Sequence, residues 1–356
     1  MEASGVLVPS PKKILIRLPN WIGDAVMASP AVSFVVSLFP DAEVFVGGPS
    51  KVCELFRHHR PQVNLIPLAR INNLKTLLKT ARLLKRYNFD IAILFQNAIS
   101  AAFAVKLAGI PVRIGRPADC RSILLSHRVS CRSFCHEADK FFHIARYVAV
   151  LIGRNSTISS PPNLRLFVAD SEVRKTLRKF LITEPYIMLH PGAAYGTAKM
   201  WPTSNFGEVA AYFAERYGLM VIVAGSDGEC SICNDVSGFV SSRRVVNLCG
   251  KTSVRELLAL QSAAKLVITN DSGPMHTACG VNTRTVAIFG PTDPLKVAPK
   301  VKHCKVIHRK VSCSPCKYRH CPGDHVCMTS ITTGDVIKAA EKFFVESELV
   351  NANTDS

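Results

Sequence analysis

Short apolar runs alternate with segments of helical spacing along most of this chain, and that alternation limits its fold more than any other feature. Runs such as KILIRL and KLVITN have the length and apolar content of strands that are buried on both faces. Parallel neighbours in a sheet need a crossover connection, usually a helix, so the pattern predicts an α/β fold with helices on both faces of parallel sheets. The predicted strands are residues 13–18, 42–48, 89–97, 186–190, 219–225, 265–270 and 283–290, and the predicted helices are residues 24–39, 74–87, 203–218 and 253–264.

Two of these helices carry more detailed signals. In the helix 74–87, the apolar side chains predicted to share one face are Leu74, Leu77, Leu78, Ala81 and Leu84. The helix 253–264 has Ser253 at its start and Glu256 three residues later, which predicts a capping box. The helix 24–39 keeps its helical spacing although it contains a proline.

The rhythm breaks at NSTISSPPNLR, residues 155–165, and then resumes. A chain of 356 residues is long for one domain, so this polar stretch is the predicted linker. We expect an N-terminal doubly wound domain at residues 1–165 and a C-terminal one at residues 166–356. The second would include a Cys-rich segment, residues 304–327, and a closing helix. Ligands of such sheets bind at the carboxyl ends of the strands, so we expect a site in the cleft between the domains.

Composition and charge narrow the class of protein. Hydrophobic residues make up 48% of the chain and charged residues 20%, which is typical of a folded globular protein. No apolar stretch approaches the roughly 20 residues that span a bilayer, and the first residues lack the pattern of a signal peptide, so we expect a cytoplasmic protein. The formal net charge of +18 favours an anionic partner, which could be nucleic acid, an anionic lipid surface or a phosphorylated substrate.

Basic residues concentrate in the first half of the chain. One group comprises Arg70, Lys75, Lys79, Arg82, Lys85 and Arg86, and five more arginines lie within residues 112–132. Each could simply be solvated, but together they could attract the first domain to an anionic membrane surface.

The stretch NDSGPMH, residues 270–276, follows a predicted strand and begins a predicted helix. Asp271 and Ser272 could merely cap that helix. Gly273 allows close approach of a ligand, and His276 lies one turn into the helix. We therefore interpret the turn as a phosphate site, with the backbone N–H groups of Ser272, Gly273, Met275 and His276 as donors.

A second polar loop, HPGAAYGTAKMWP, follows the strand 186–190. Its Lys199 is a suitable phosphate ligand, although a lysine considered alone could equally be a solvated surface residue. Two such loops on neighbouring strands favour a cradle for a pyrophosphate. The acids of a third loop, GSDGE at residues 225–229, could meet ribose hydroxyls or could belong to a plain turn.

The first strand-to-helix turn, LPNWIGDAV, lacks the G-x-G-x-x-G pattern of dinucleotide-binding proteins, which argues against an NAD-dependent oxidoreductase. It offers Asp24 at a helix start. Asp24 could be an N-cap residue, or it could be a general base for a hydroxyl group.

The Cys-rich segment contains Cys313, Cys316, Cys321 and Cys327, which begin with a C-x2-C spacing. This spacing suggests a structural zinc site, with His320 and His325 as further candidate ligands. The number of residues between the first two and the last two cysteines is small for a zinc ribbon. A zinc site and a segment without metal therefore both stay open.

Five stretches, LPNWIGDAVMASPA, HPGAAYGTAKMWP, NLCGKTSVRELLAL, NDSGPMHTACG and AIFGPTDP, occur in the order found in the lipopolysaccharide heptosyltransferases, and the chain resembles that glycosyltransferase family over nearly its whole length. The resemblance implies a GT-B fold, which consists of two Rossmann-like doubly wound domains and a cleft. It implies an inverting, metal-independent transfer of heptose from ADP-heptose to a lipid A-linked Kdo or heptose acceptor, without a cofactor.

The resemblance also implies roles for individual residues. Asp24 would deprotonate the acceptor hydroxyl, Lys199 would hold the donor phosphates, and the donor's pyrophosphate and sugar would be bound by Asp271, Ser272, Gly273 and His276. A similar Cys-rich segment occurs in the family without a required catalytic metal. The chain departs from the family at Met200, where a second basic residue is usual.

Two alternatives remain at this level. One is a transferase of the same fold with a different donor sugar, since the sugar is recognised by loop side chains that no motif identifies. The other is a basic nucleic-acid-binding protein, although no aromatic stacking platform or recognition-helix motif is evident. We expect no nucleic-acid partner. We expect a cytoplasmic protein that could bind peripherally to the inner face of the inner membrane.

Overall fold

A computed structural model of the protein describes residues 11–131, 136–154 and 160–352, with side chains to residue 344. The first ten residues, residues 132–135, residues 155–159 of the predicted linker and the last four residues lie outside the described residues. The chain divides into two compact units between Phe167 and Val168.

The first unit contains a parallel sheet of six strands in the order β3-β2-β1-β4-β5-β6. Residues Ile14 to Arg17 of the central strand β1 pair with β2 on one side and with β4 on the other. The strands are β1 (Lys13–Arg17), β2 (Glu43–Gly48), β3 (Asn64–Pro67), β4 (Ile91–Leu94), β5 (Val112–Gly115) and β6 (His127–Arg128).

The second unit repeats this arrangement with the order β12-β11-β10-β7-β8-β9. In both sheets the first strand along the chain lies at the centre, between the second and the fourth strands along the chain. The strands are β7 (Tyr186–His190), β8 (Met220–Val223), β9 (Val245–Asn247), β10 (Leu266–Asn270), β11 (Thr285–Phe289) and β12 (Cys304–His308). This is the strand order of doubly wound nucleotide-binding folds, whose ligands bind where the order reverses.

Helices connect the strands in each unit. In the first, the helices packed on one another are α2 with α6 and α4 with α5. The helices of the first unit are α1 (Ile22–Met27), α2 (Ser29–Leu38), α3 (Ser50–Cys53), α4 (Leu74–Lys85), α5 (Ile99–Leu107) and α6 (Glu137–Leu151). Those of the second are α7 (Asp170–Lys179), α8 (Thr203–Tyr217), α9 (Cys230–Ser237), α10 (Val254–Ala263), α11 (Gly273–Gly280), α12 (Pro294–Val297), α13 (Val326–Thr329) and α14 (Thr333–Ala352).

All seven predicted strands are present, and the predicted α/β class is confirmed. The predicted helix 24–39 is instead two helices that meet at Ala28. Pro30 explains the break, because it has no N–H to donate to the carbonyl four residues earlier. The strands β3, β5, β6, β9 and β12 were not predicted; four of them are edge strands and β5 is next to an edge, where burial and the apolar signal are weaker.

The buried face of helix α4 is narrower than the predicted apolar face. Leu77, Ala81 and Leu84 are buried as expected, whereas Leu74 is 66% exposed and Leu78 is 38% exposed. Helix α10 has the predicted capping box, because Ser253 Oγ accepts the N–H of Glu256 at 3.2 Å and the Glu256 carboxylate accepts the N–H of Ser253 at 2.8 Å. No helix within the described residues is long and apolar enough to cross a bilayer.

Candidate functional site

The strand order of the second unit reverses between β7 and β10, which are neighbours in the sheet. The loop after β7 begins at Pro191, and the turn after β10 begins at Asp271. The two polar stretches singled out in the sequence therefore leave the same edge of the sheet side by side. The adjacency of the two loops that favours a pyrophosphate cradle is therefore present in the sheet.

Asn270, the last residue of β10, ties the two stretches together. Its side chain is fully buried, donates to the carbonyl of Pro191 at 2.7 Å and accepts the N–H of Trp201 at 3.1 Å. Both ends of the loop after β7 are thus fixed by one amide. Asn270 had no predicted role, and an asparagine at a strand end also suits an ordinary turn.

Lys199 and Asp271 form an ion pair across the two stretches, with 2.5 Å between Nζ and Oδ2. Their side chains are 16% and 5% exposed, so the pair is largely shielded from water. Lys199 has three N–H donors, and the contact with Asp271 holds the ammonium group at the helix start while it can still donate to a second oxygen.

Ser272 is the N-cap residue of α11, yet within the described part of the chain its side chain makes no capping hydrogen bond. Its hydroxyl lies 3.3 Å from that of Thr269. The capping interpretation of Ser272 is therefore wrong. The N–H of Met275 donates to the carbonyl of Ser272 at 3.2 Å, so it is not among the free donors that the sequence analysis expected.

Gly273 is the first residue of α11, and His276 lies one turn into it as predicted, with only 4% of its surface exposed. The first N–H groups of a helix lack partners within the helix, and the helix dipole favours an anion there. Lys199 and Asp271 are thus in contact across the two loops, Ser272 and Gly273 follow Asp271 in the chain, and His276 is buried one turn into the helix.

A buried network lies directly beneath this turn. His190, at the end of β7, has Nδ1 3.1 Å from the carbonyl of Ala224 and Nε2 3.2 Å from the side-chain nitrogen of Gln261. Gln261 also donates to the carbonyl of Pro274 at 3.1 Å. Burial lowers the pKa of His190 to about 4, so the imidazole is neutral at pH 7 and can accept from Gln261 while it donates to Ala224.

The acidic loop GSDGE is largely occupied by its own turn. The carboxylate of Glu229 accepts the N–H and the hydroxyl of Ser226, each at 2.7 Å. This geometry supports the plain-turn interpretation for Glu229 over a ribose contact. Gly192 lies beside it, and a Cβ there would lie 2.1 Å from a Glu229 carboxylate oxygen, so the Glu229 side chain would have to move.

In the first unit, the corresponding reversal lies between β1 and β4. Asp24 is the third residue of α1 and is partly exposed, while the N-cap position is Trp21. Asp24 is therefore not the N-cap residue. The start of the loop after β4 is joined to the end of β1, because the N–H of Phe95 and that of Gln96 both donate to the carbonyl of Arg17.

Two buried arginines at this edge were missed by the sequence analysis. Arg17 donates to the carbonyls of Leu18 and Gly47, and the fully buried Arg121 donates to those of Gln96 and Arg116. Burial lowers the pKa of each guanidinium to about 10. An arginine inside the apolar run KILIRL was the available signal for Arg17. Nothing local distinguishes Arg121 from its basic neighbours.

The two basic stretches of the first unit behave differently. In and beside α4, the exposed residues are Arg70, Lys75, Lys79, Arg82, Lys85 and Arg86. Between residues 112 and 131, by contrast, Arg121 is buried, Arg113 donates to three backbone carbonyls and Arg116 lies 3.7 Å from Glu137. Of these two stretches, the one in and beside α4 therefore carries most of the exposed positive charge, and in the other Arg128 is exposed.

The Cys-rich segment packs against the loop after β7. His325 Nε2 lies 2.6 Å from the carbonyl of Ala198, and the hydroxyl of Tyr195 donates to the carbonyl of Lys317 at 2.9 Å. Burial, the largest cause, and the neighbouring cysteines raise the pKa of Cys327 to about 11, which disfavours the thiolate that a metal needs. Within the described residues, no group of three or more His, Cys, Asp or Glu side chains is arranged to hold a metal ion.

Comparison with known proteins identifies related sequences over most of the chain. The profile of glycosyltransferase family 9, described as heptosyltransferase, matches residues 57–327, well over half of the chain. Lipooligosaccharide heptosyltransferase 2 of Campylobacter jejuni serotype O:2 is 28% identical over 342 residues, which cover 95% of this chain and 100% of that protein. Lipopolysaccharide heptosyltransferase 2 of Escherichia coli K12 is 29% identical, over 83% of this chain and 87% of that protein.

The fold is similar to that of solved structures as well. The E. coli ADP-heptose lipopolysaccharide heptosyltransferase II superposes with a TM-score of 0.82 at 24% identity, covering 94% of this chain and 99% of that one. A family 9 glycosyltransferase of Veillonella parvula gives the same TM-score at 21% identity, covering 94% of this chain and 98% of that one. The predicted class, two Rossmann-like doubly wound domains of the GT-B type, is confirmed.

Proposed function

The chain belongs to glycosyltransferase family 9, the heptosyltransferases, and on that premise we propose that it transfers a heptose from ADP-heptose to the inner core of lipopolysaccharide. One observation carries the proposal. The strand reversal of the second unit places Lys199 against the helix start at residues 271–273, which is a site suited to a diphosphate. This chain covers 100% and 87% of the length of two relatives that are named as heptosyltransferases.

The donor would lie on the second unit. The ammonium group of Lys199 and the N–H groups of Ser272 and Gly273 would bind the phosphates, and Asp271 would hold Lys199 in place through the 2.5 Å contact. His276 would add a donor to the same turn or to the transferred sugar. These groups place positive charge where the leaving diphosphate develops negative charge, which lowers the barrier to its departure.

Asp24 of the first unit would act as the general base. Its carboxylate would take the proton of the acceptor hydroxyl as that oxygen bonds to the anomeric carbon and the bond to ADP breaks. Such a single displacement inverts the anomeric centre. With Lys199 and the helix start stabilising the leaving group, the proposed mechanism uses no metal ion and no cofactor.

The acceptor would be of the heptosyl-Kdo-lipid A type, since the relatives reported above are the heptosyltransferases numbered 2. A lipid-linked acceptor would bring the enzyme to an anionic membrane surface on the cytoplasmic side of the inner membrane. The exposed basic residues of α4 suit this, because each basic residue near such a surface contributes about 1 kcal/mol. Sedimentation with anionic liposomes at low and high salt tests it, and binding that is absent or insensitive to salt would contradict it.

A transfer assay tests the reaction. Purified protein is mixed with ADP-heptose and a heptose-primed, truncated lipid A acceptor in the presence of a chelator, beside Asp24→Asn and the control Asp41→Asn. Asp41 is an exposed carboxylate of the same unit. We expect product with the wild type and with the control, and a turnover lower by about 10²- to 10⁴-fold with Asp24→Asn at unchanged ADP affinity.

The other outcomes separate the parts of the proposal. Full activity of Asp24→Asn would remove Asp24 from catalysis and leave the donor site intact. ADP binding without heptose transfer, together with transfer from another ADP-sugar, would support a family member with a different donor. Activity that the chelator abolishes and that an added divalent cation restores would refute the metal-independent mechanism.

A further inference from the structure

The Cys-rich segment does more than cover the loop after β7, because several contacts fix the two to each other. The carbonyl of Arg319 accepts the N–H of Ala198 at 2.9 Å, and His320 Nδ1 lies 3.0 Å from the hydroxyl of Thr197. Gly196 adopts a φ of +153°, and a Cβ on it would lie 2.2 Å from the carbonyl oxygen of Arg319. Residues 317–320 are therefore placed directly beside Lys199, although more than 100 residues separate them along the chain.

These contacts bring two cations to one aromatic ring. The ammonium nitrogen of Lys199 lies 5.1 Å from the ring centre of Tyr195, and the guanidinium carbon of Arg319 lies 5.4 Å from the same point. The two positive charges are thus separated by at most the sum of these distances. Like charges at such a spacing repel each other, and an anion close to both offsets that repulsion.

The available carboxylate does not balance both cations. Asp271 pairs with Lys199, and among the described residues no carboxylate forms an ion pair with Arg319. The residue next to Lys199 is Met200, which carries no charge, so the loop itself supplies one cation that Asp271 already neutralises. Each phosphate of a nucleotide sugar carries a negative charge, which leaves a diphosphate at this site short of positive charge.

We infer that Arg319 is the second cation of the diphosphate site, delivered by the Cys-rich segment. Its guanidinium would contact the phosphate that Lys199 and the start of α11 leave unneutralised. Arginine suits this position, because its planar fork binds two phosphate oxygens at once while its guanidinium carbon lies over the Tyr195 ring. The segment would then be a binding element whose backbone contacts with residues 195–198 set the position of one side chain. This inference rests on the proposed function, since it names a further residue of the proposed donor site.

Isothermal titration of full-length protein with ADP, AMP and adenosine tests it. The variants are Arg319→Gln, Arg319→Lys and the control Arg243→Gln, an exposed arginine of the same unit. Because Arg319 is exposed and its backbone makes the contacts to the loop, we expect unchanged melting temperatures. Arg319→Gln should weaken ADP binding by about tenfold or more, AMP binding less and adenosine binding not at all. Arg319→Lys should recover part of the loss, and Arg243→Gln should behave as the wild type.

Two results would overturn the inference. One is an ADP affinity of Arg319→Gln within twofold of the wild type. The other is an equal loss for ADP and adenosine, which would indicate a displaced loop and no phosphate contact. If the wild type prefers another nucleoside diphosphate, the proposed donor is wrong, and the same comparison with that diphosphate and its monophosphate still decides the role of Arg319. A wild type that binds no nucleoside diphosphate would refute both.

Discussion

Lys199 has two partners in the proposed site, Asp271 and the donor phosphates, and a double-mutant cycle separates them. In Lys199→Met, the Asp271 carboxylate, only 5% exposed, loses its cation. Removal of one member of a buried ion pair costs about 3 kcal/mol of unfolding free energy, because the other charge stays buried and uncompensated. Asp271→Asn leaves the more exposed Lys199 behind and should cost less, about 2 kcal/mol.

The double variant Lys199→Met/Asp271→Asn removes both charges, so no uncompensated charge remains. We expect it to be within about 1 kcal/mol of the wild type, which gives a coupling free energy of several kcal/mol. Denaturant unfolding measures these values. The matched control is the exposed pair of Arg244 and Glu184, which are separated by 2.7 Å, have side chains 41% and 55% exposed, and should couple by about 0.5 kcal/mol or less.

Nucleotide binding by the same variants should follow a different pattern. Lys199→Met should lose about tenfold or more in ADP affinity, since a charge-assisted hydrogen bond to phosphate is removed. The double variant should regain stability without regaining ADP affinity. If ADP affinity returns together with stability, Lys199 serves only as the partner of Asp271, and its proposed contact with the donor is refuted.

Three further predictions follow from the geometry around this site. Asn270→Leu should lower the unfolding free energy by about 3 kcal/mol and weaken ADP binding, because it leaves the carbonyl of Pro191 and the N–H of Trp201 buried without a partner; unchanged stability and affinity would refute the bridging role. Burial lowers the pKa of His190 to about 4 from 6.5, so the unfolded state binds more protons between these values, and the stability that His190 contributes is complete above pH 6.5 and falls by about 3 kcal/mol as the pH drops to 4. Unfolding curves of the wild type and His190→Gln between pH 4 and 7 check this, and identical pH slopes would contradict it. Gly196→Ala should cost about 2 kcal/mol and reduce ADP affinity through its clash with the carbonyl of Arg319, whereas Gly218→Ala, at a φ of +62° in open space, should cost less and leave ADP affinity unchanged.

The periodic signal of the sequence was sufficient for the central strands of the two sheets, but it did not identify the core helices α5 and α6. Strands β7 and β10 are buried along their whole length, and a continuous apolar run with polar residues at its end marks such a strand without knowledge of its neighbours. The same signal failed where burial is partial. Leu74 and Leu78 have helical spacing with the buried residues of α4, but they lie on its exposed flank, and spacing alone does not state where a core ends.

In the candidate site, too, some features could be predicted from local sequence and others could not. Residue types and their order along the chain were enough to nominate Lys199 and the turn from Asp271 to His276, because anion binding at a helix start needs glycine, small polar residues and a nearby cation within a few residues of one another. The ion pair of Lys199 with Asp271, the bridge made by Asn270 and the approach of Arg319 to Tyr195 depend on residues that are far apart in the chain. Local sequence sets the conformation and polarity of each loop, whereas the order in which strands pair decides which loops share an edge of the sheet. Only the tertiary structure therefore shows which charges meet, since each of these contacts is made across strands or segments that no local pattern connects.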